Sequence, residues 1–238
     1  TFSTGRVAHI AVRDPQGKPA VMAQFLRNGV SQRSGGLLGG IKSVLGGGSW
    51  RKDVAATRAG ESHQRGQRDI IIATSAGVIE IWDTHWNSGS ALKKQFDVKK
   101  DIYNSFQTDD MDQPGEQDVT ILDAAWAASE SSHELAASGE ESWQLFLIVA
   151  SGRDRNSKRL YVMQISLSAS EIRIVSARPV DLHNIPVVPE DSKPRLLVPR
   201  AGDTVFVIIG QSVILMSVAP FEESPSSQLL SDSGRRPA

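Results

Sequence analysis

Short runs of alternating apolar and polar residues, separated by turn residues, follow one another along most of this chain. A period of two residues is typical of strands with one buried face. The first two runs, Arg6–Arg13 and Ala20–Leu26, flank the sequence Asp-Pro-Gln-Gly-Lys-Pro. Because proline and glycine between two alternating runs indicate a turn, we predict that the chain begins with a β-hairpin.

A unit of four short strands follows, and its third strand ends in the dipeptide Trp82-Asp83. We place its strands at Val54–Arg58, Ile70–Ser75, Val78–Asp83 and Leu92–Val98, with a polar loop over residues 59–68. Four strands with a Trp-Asp ending are typical of one blade of a β-propeller. We interpret Trp82 and Asp83 as a pair that stabilises the blade and not as a binding site.

The same unit recurs twice further along the chain. The second copy follows a connection predicted to be helical around Asp101–Phe106, and covers Val119–Trp126, Gln144–Ala150, Leu160–Leu167 and Glu171–Ala177. The third copy is shorter and covers Pro194–Val198, Val205–Ile209 and Val213–Val218. The sequence therefore predicts an all-β fold with about three to three and a half propeller blades, whereas closed propellers have about four to eight. We expect chain outside this sequence to complete the propeller.

An uncharged run from Thr204 to Phe221 is long enough to raise the alternative of a membrane span. The run is interrupted at its centre by Gly210-Gln211-Ser212, and β-branched residues dominate each half. Two β-rich runs around a short turn favour a buried hairpin, which is the structure that we predict here.

One stretch breaks the strand pattern, because its apolar residues recur at helical spacing. With about 100° of rotation per residue, the large aliphatic side chains of Gly35–Trp50 occupy an arc of about 120°. These side chains are Leu37, Leu38, Ile41, Val44 and Leu45, and Trp50 follows at the C-terminal end. The other face consists of Gly and Ser with one lysine. Since glycine weakens a helix by about 1 kcal/mol per site, we expect this helix to form only against an apolar surface.

Membrane binding is the interpretation that we favour for this segment. Burial of five large apolar side chains contributes about 7–15 kcal/mol, and ordering about ten residues costs about 1–2 kcal/mol each. The two terms nearly cancel, so binding should be weak on flat lipid and stronger on curved lipid with apolar packing gaps. Packing on a neighbouring blade, a flexible linker and docking into a protein groove remain open as alternatives.

Composition and charge argue against several classes of function. The formal net charge is −1 and the chain has no cysteine, so we expect neither nucleic-acid binding nor a thiolate metal site. The segment Gly36–Ser43 nearly matches a phosphate-binding loop, but Ile41 stands where that motif requires glycine. We expect no cofactor, no metal, no small-molecule substrate and no catalytic residues, and therefore not an enzyme.

Two features together resemble a known family. A propeller with Ile-Glu-Ile-Trp-Asp-Thr in one blade and a Gly/Ser-faced amphipathic segment between blades is similar to the N-terminal domain of the nucleoporin 133 family. The related nucleoporin 155 family is the nearest alternative. The resemblance implies that residues 1–221 are part of one N-terminal propeller, which is seven-bladed in that family. It also implies an inter-blade loop over residues 28–52 that carries a lipid-packing-sensor helix. We expect residues 222–238 to form a disordered Ser/Pro-rich tail or linker.

The resemblance also implies a function. It indicates a structural scaffold of the nuclear pore complex, located at the nuclear envelope of the nucleus, that supports nucleocytoplasmic transport of protein and mRNA. Its partners would be other nucleoporins of the Y-shaped outer-ring complex and the curved nuclear membrane. Membrane contact is assigned by the resemblance to Leu37, Leu38, Ile41, Val44, Leu45 and Trp50. The alternative is a propeller that serves as a protein–protein interaction module of another coat or adaptor complex.

Overall fold

The computed structural model describes residues 6–14, 16–27, 54–64, 66–85, 89–106, 118–127, 141–152, 159–182, 193–199 and 203–219. Within them the chain is almost entirely β-structure. The first strands are β1 (Val7–Arg13), β2 (Pro19–Arg27), β3 (Val54–Gln64), β4 (Gln67–Thr74), β5 (Val78–His85) and β6 (Gly89–Asp97). The helix α1 (Lys99–Ser105) follows, and then β7 (Asp118–Trp126), β8 (Ser142–Gly152), β9 (Arg159–Ser168), β10 (Ile172–Pro179), β11 (Arg195–Leu197), β12 (Thr204–Ile209) and β13 (Ser212–Ser217).

The strands of the described residues form four antiparallel sheets in chain order. Sheet I is the hairpin β1–β2, sheet II is β3–β4–β5–β6, sheet III is β7–β8–β9–β10, and sheet IV is β11–β12–β13. Each strand pairs with the strand next to it in sequence, as in the blades of a propeller. The predicted order of one hairpin, two complete blades and most of another is therefore confirmed.

The strand β3 is longer than the sequence suggested. The prediction of a polar loop over residues 59–68 is wrong, because β3 runs to Gln64 and β4 already begins at Gln67. The end of β3 is held by backbone pairing with β4, in which Ala59 faces Ile70 and Ser62 faces Arg68. Ladder hydrogen bonds do not require apolar side chains, so a polar strand end leaves no hydrophobic alternation in the sequence.

The uncharged run near the end of the described chain forms a hairpin. The strands β12 and β13 pair antiparallel, with Val205 opposite Met216 and Ile209 opposite Ser212. Gly210 adopts a positive φ of 59° in the turn. The predicted hairpin is therefore confirmed, and no helix among the described residues is long and apolar enough to cross a membrane.

The sheets pack face to face, and one strand shows how. Along β8, Leu145, Leu147 and Val149 belong to the core between sheets II and III. The intervening Phe146 and Ile148 belong to a second core against sheet IV. Because successive side chains of a strand point to opposite faces, a strand buried on both faces lies in the middle of a stack. Sheet III is thus an interior blade.

The hairpin of sheet I packs on the opposite side of sheet II. Val7 and Leu26 form a small core with Ile72 of β4, and Val54 and Trp82 pack against it. Imidazole Nδ1 of His9 lies 3.0 Å from Ser90 Oγ of β6. Burial lowers the pKa of His9, which favours the neutral ring at this contact. His9 is therefore an interface residue between sheets I and II.

Candidate functional site

The six residues that the sequence assigns to membrane contact all belong to residues 28–53, which lie outside the described residues. They are Leu37, Leu38, Ile41, Val44, Leu45 and Trp50. The two ends of this connection are described, however. Leu26, just before it, and Val54, just after it, contact the same small core between sheets I and II. The two described ends of the connection therefore lie at one place in the fold.

The structure also contains a cleft that the sequence did not predict, formed where the first strands of sheets II, III and IV meet. We call it the axial cleft, and the first strands of three successive sheets line it. Its volume is about 610 Å³. Its polar lining consists mainly of Arg58 on β3, Asp123 on β7, and Lys193 and Arg195 at the start of sheet IV.

Asp123 is the centre of the hydrogen bonds in the axial cleft, and it is only 3% exposed. Arg58 donates from Nη2 to both carboxylate oxygens, at 2.9 Å and 2.8 Å. The backbone N–H of Ala124 donates to Oδ1 at 2.9 Å, and that of Leu196 donates to Oδ2 at 2.8 Å. A buried carboxylate with this many donors is fully satisfied. Its contacts join sheets II, III and IV.

The two other cations of the cleft are less well compensated. Lys193 donates to the backbone carbonyl of Ala55, which is a neutral acceptor. Burial lowers the pKa of Lys193, and the neighbouring Arg58 and Arg195 lower it further, whereas Asp123 acts in the opposite direction. Three cations and one carboxylate give the described lining of the cleft a net charge of 3 − 1 = +2. The cleft is therefore an electropositive site.

The positive charge of the cleft does not match a site that catalyses with paired carboxyl groups. General acid and base work on glycosides needs two carboxyl groups across the reacting bond, whereas the described lining of the cleft has Asp123 alone, already bound to its donors. No cluster of three or more His, Cys, Asp or Glu able to hold a metal occurs among the described residues.

A second buried carboxylate joins sheets II and III away from the cleft. Asp69 is 1% exposed, and Trp143 Nε1 donates to its Oδ2 at 3.3 Å. Lys93 Nζ lies 3.3 Å from Asp69 Oδ2 and 3.1 Å from Glu141 Oε2. Burial opposes the charge of Lys93, but Asp69 and Glu141 together raise its pKa. We assign this network to the packing of blades, because it joins β4 and β6 of sheet II to Trp143 of sheet III.

The Trp-Asp pair acts within its own blade. Trp82 Nε1 donates to Glu80 Oε2 at 3.0 Å on the same strand. Asp83 Oδ2 accepts a hydrogen bond of 2.8 Å from Gln67 Nε2 on the adjacent strand β4. The Asp83 contact ties β4 to β5, whereas the Trp82 contact lies within β5, and neither leaves sheet II.

Sequence reasoning missed the axial cleft because its residues are far apart along the chain. Asp123 lies 65 positions after Arg58 and 73 positions before Leu196. The sequence does contain a weak signal of the cleft, namely charged residues in the first strand of successive units. Only the stacking of sheets shows that these positions share one surface.

Three comparisons with known proteins agree. A family model described as Nup133 N terminal like matches residues 1–236. The nucleoporin NUP133 of Chaetomium thermophilum is 29% identical over 245 residues, an alignment that covers 98% of this chain and 18% of that protein. The crystal structure of the Nup133 β-propeller domain of Vanderwaltozyma polyspora aligns with a TM-score of 0.63 at 19% identity, and covers 91% of this chain and 54% of that chain.

Proposed function

Because the chain belongs to the family of Nup133 N-terminal-like nucleoporins, we propose that it forms part of the propeller of a nuclear pore scaffold. The family match over residues 1–236 carries this proposal. Stacked blades with short, protected edges give a rigid body that suits a structural role. In this proposal the protein is located at the nuclear pore complex, contacts nucleoporins of the Y-shaped outer ring, and supports nucleocytoplasmic transport and mRNA export.

The proposal includes a membrane contact through residues 35–50. The support from sequence is the apolar arc of Leu37, Leu38, Ile41, Val44 and Leu45. The support from structure is the anchoring of both ends of the connection, at Leu26 and Val54, on one small core. Loops whose ends lie close together are able to change conformation without moving the elements that they join. Residues 35–50 would therefore insert into lipid while sheets I and II stay packed.

Curvature dependence follows from the energies of the segment. Apolar burial and ordering nearly cancel, so small differences in lipid packing decide whether the segment binds. Basic side chains in and beside the segment are Lys42, Arg51 and Lys52. Basic clusters that bind anionic lipid have about four to eight Lys or Arg, so these three charges fall short of such a cluster. Neutral, strongly curved vesicles should suffice.

The test is flotation of the protein with neutral vesicles of decreasing diameter. We expect the bound fraction to rise as the vesicles become smaller. Leu38→Asp combined with Val44→Asp should abolish the rise, because two charges on the apolar arc oppose insertion. Gly39→Asp combined with Ser43→Asp is the matched control. It adds the same two charges on the opposite face of the helix, and it should leave most of the binding intact.

Two results would contradict the membrane proposal. One is equal binding to small and large neutral vesicles, and the other is an equal loss of binding in the two double variants. Capture of a protein partner by residues 35–50 in detergent, without lipid, would favour docking into a protein groove.

A further inference from the structure

We propose that the axial cleft binds an acidic peptide segment, with carboxylates on Lys193 and Arg195 and apolar side chains beside them. This site is distinct in chemistry from the membrane contact, because its charge is positive and its lining is preformed. The first observation is the uncompensated charge. Arg58 is committed to Asp123, so its charge and that of the carboxylate offset each other, whereas Lys193 and Arg195 make no ion pair within the described part of the chain.

The surroundings of these two cations strengthen their attraction for an anion. Lys193 is held against the Ala55 carbonyl, so its ammonium group is already ordered before a ligand arrives. Arg58 and Arg195 add positive potential that disfavours its charge. An arriving carboxylate removes this repulsion and gains charge-assisted hydrogen bonds. Complementary charge of this kind gives specificity for anionic partners.

The shape and the apolar lining favour a peptide over a small ion. The cleft volume of about 610 Å³ lies in the range of about 300–1,000 Å³ that is typical of pockets for drug-sized ligands. Several side chains of a peptide would fit in such a volume. Val54, Pro194, Leu197 and Ile208 line the same cleft as the cations, and Leu197 is 56% exposed. A phosphate ion would leave these apolar surfaces uncovered. A segment with acidic and aliphatic side chains in alternation would cover them.

The backbone at the cleft is already hydrogen-bonded, so a peptide would be held by side chains. The N–H of Leu196 donates to Asp123 Oδ2, and the carbonyl of Ala55 accepts from Lys193. An extended peptide with carboxylates on alternate residues would place them on one side, toward Lys193 and Arg195.

The test uses fluorescence anisotropy with a labelled peptide of alternating Glu and Leu, in the absence of lipid, so that its outcome is independent of membrane binding. We expect the intact protein to bind this peptide and to bind the Gln–Leu peptide of equal length much more weakly. Lys193→Gln with Arg195→Gln should weaken binding of the acidic peptide about tenfold or more, because two charge-assisted contacts are lost. Lys18→Gln with Arg173→Gln removes the same charge from exposed positions elsewhere and should change the affinity little.

Several outcomes would overturn the proposal. Absence of binding by the acidic peptide is one, and equal binding of the two peptides is another. A loss of affinity that is the same in both double variants would show attraction to overall charge and not to the cleft. Displacement of the peptide by inorganic phosphate at equal concentration would assign the site to small oxyanions. Circular dichroism of each variant shows whether a loss of affinity reflects unfolding. All four substituted residues are exposed, so both double variants should keep the spectrum of the intact protein.

Discussion

At the scale of single residues, Asp123 has the most consequential position. Its carboxylate accepts hydrogen bonds from Arg58 on β3 and from Leu196 on β11, so a side chain of sheet III holds the first strands of both neighbouring sheets. The sequence does not distinguish it from other aspartates, because Arg58 and Leu196 are more than 60 positions away from it. Burial and satisfied donors, not a motif, reveal its role.

Asp123→Asn tests this role with almost no change in shape. The amide replaces one acceptor with a donor, which would then face the Arg58 guanidinium or a backbone N–H. We expect the free energy of unfolding to fall by about 1–3 kcal/mol, the cost of leaving a buried donor unpaired. Urea unfolding measures this change.

The control for this substitution is Asp203→Asn, at an exposed position beside sheet IV. Surface substitutions of this kind usually change stability by less than about 0.5 kcal/mol. If the two variants were equally stable, Asp123 would not be the link between the three sheets.

At the scale of elements, the strands with apolar alternation were predictable and the polar parts were not. The strands β12 and β13 and the hairpin β1–β2 follow from alternation around turn residues. In contrast, the second half of β3 is formed by polar residues, including Ser62 opposite Arg68, and it depends on pairing with β4. The helix α1 overlaps the helical stretch predicted around Asp101–Phe106, and its Ile102 is fully buried.

The turn between β4 and β5 gives a prediction at this scale. Gly77 has a φ of +100°, and a Cβ built on it would lie 2.8 Å from Lys99 Cβ at the start of α1. Gly77→Ala therefore combines backbone strain of about 1–2 kcal/mol with a steric clash that typically adds about 1–3 kcal/mol. Thermal unfolding should show a clear decrease in Tm.

Gly17→Ala is the matched control for the clash. Gly17 has a φ of +82° in the turn between β1 and β2, but its Cβ would meet nothing within 4 Å. It should show the backbone strain alone, and hence a smaller decrease in Tm. Equal decreases in the two variants would mean that the contact between the turn and α1 contributes nothing.

At the scale of the whole molecule, the stack of sheets ends in an apolar face on each side. On sheet I, Val12 and Val21 are 65% and 79% exposed, and on sheet IV, Val213 and Leu215 are 61% and 62% exposed. Blades in a propeller pack against a neighbour on each side. The propeller domain of the Vanderwaltozyma polyspora protein is correspondingly longer, because this chain covers 54% of it. We propose that residues 1–221 belong to one such domain and that residues 222–238, which are not among the described residues, form a Ser/Pro-rich tail or linker.

The family and the fold could be predicted from the sequence. Of the two surfaces proposed to carry function, the segment 35–50 could be predicted and the axial cleft could not. Residues 35–50 stand out in the sequence because their apolar residues, such as Leu38 and Val44, have a helical period in a β-protein. The axial cleft does not stand out, because each inner strand supplies only one or two of its charges. A site built from successive blades requires the three-dimensional arrangement.

The most direct test of the membrane contact follows the segment itself. The chain has no cysteine, so Leu38→Cys and Ser43→Cys each give a single site in this chain for an environment-sensitive fluorophore. With small neutral vesicles, we predict a blue shift and brighter emission at position 38, on the apolar arc, and little change at position 43, on the Gly/Ser face. Large vesicles of the same lipid should produce little change at either position. Equal responses at both positions, or no response at position 38 with small vesicles, would contradict the account.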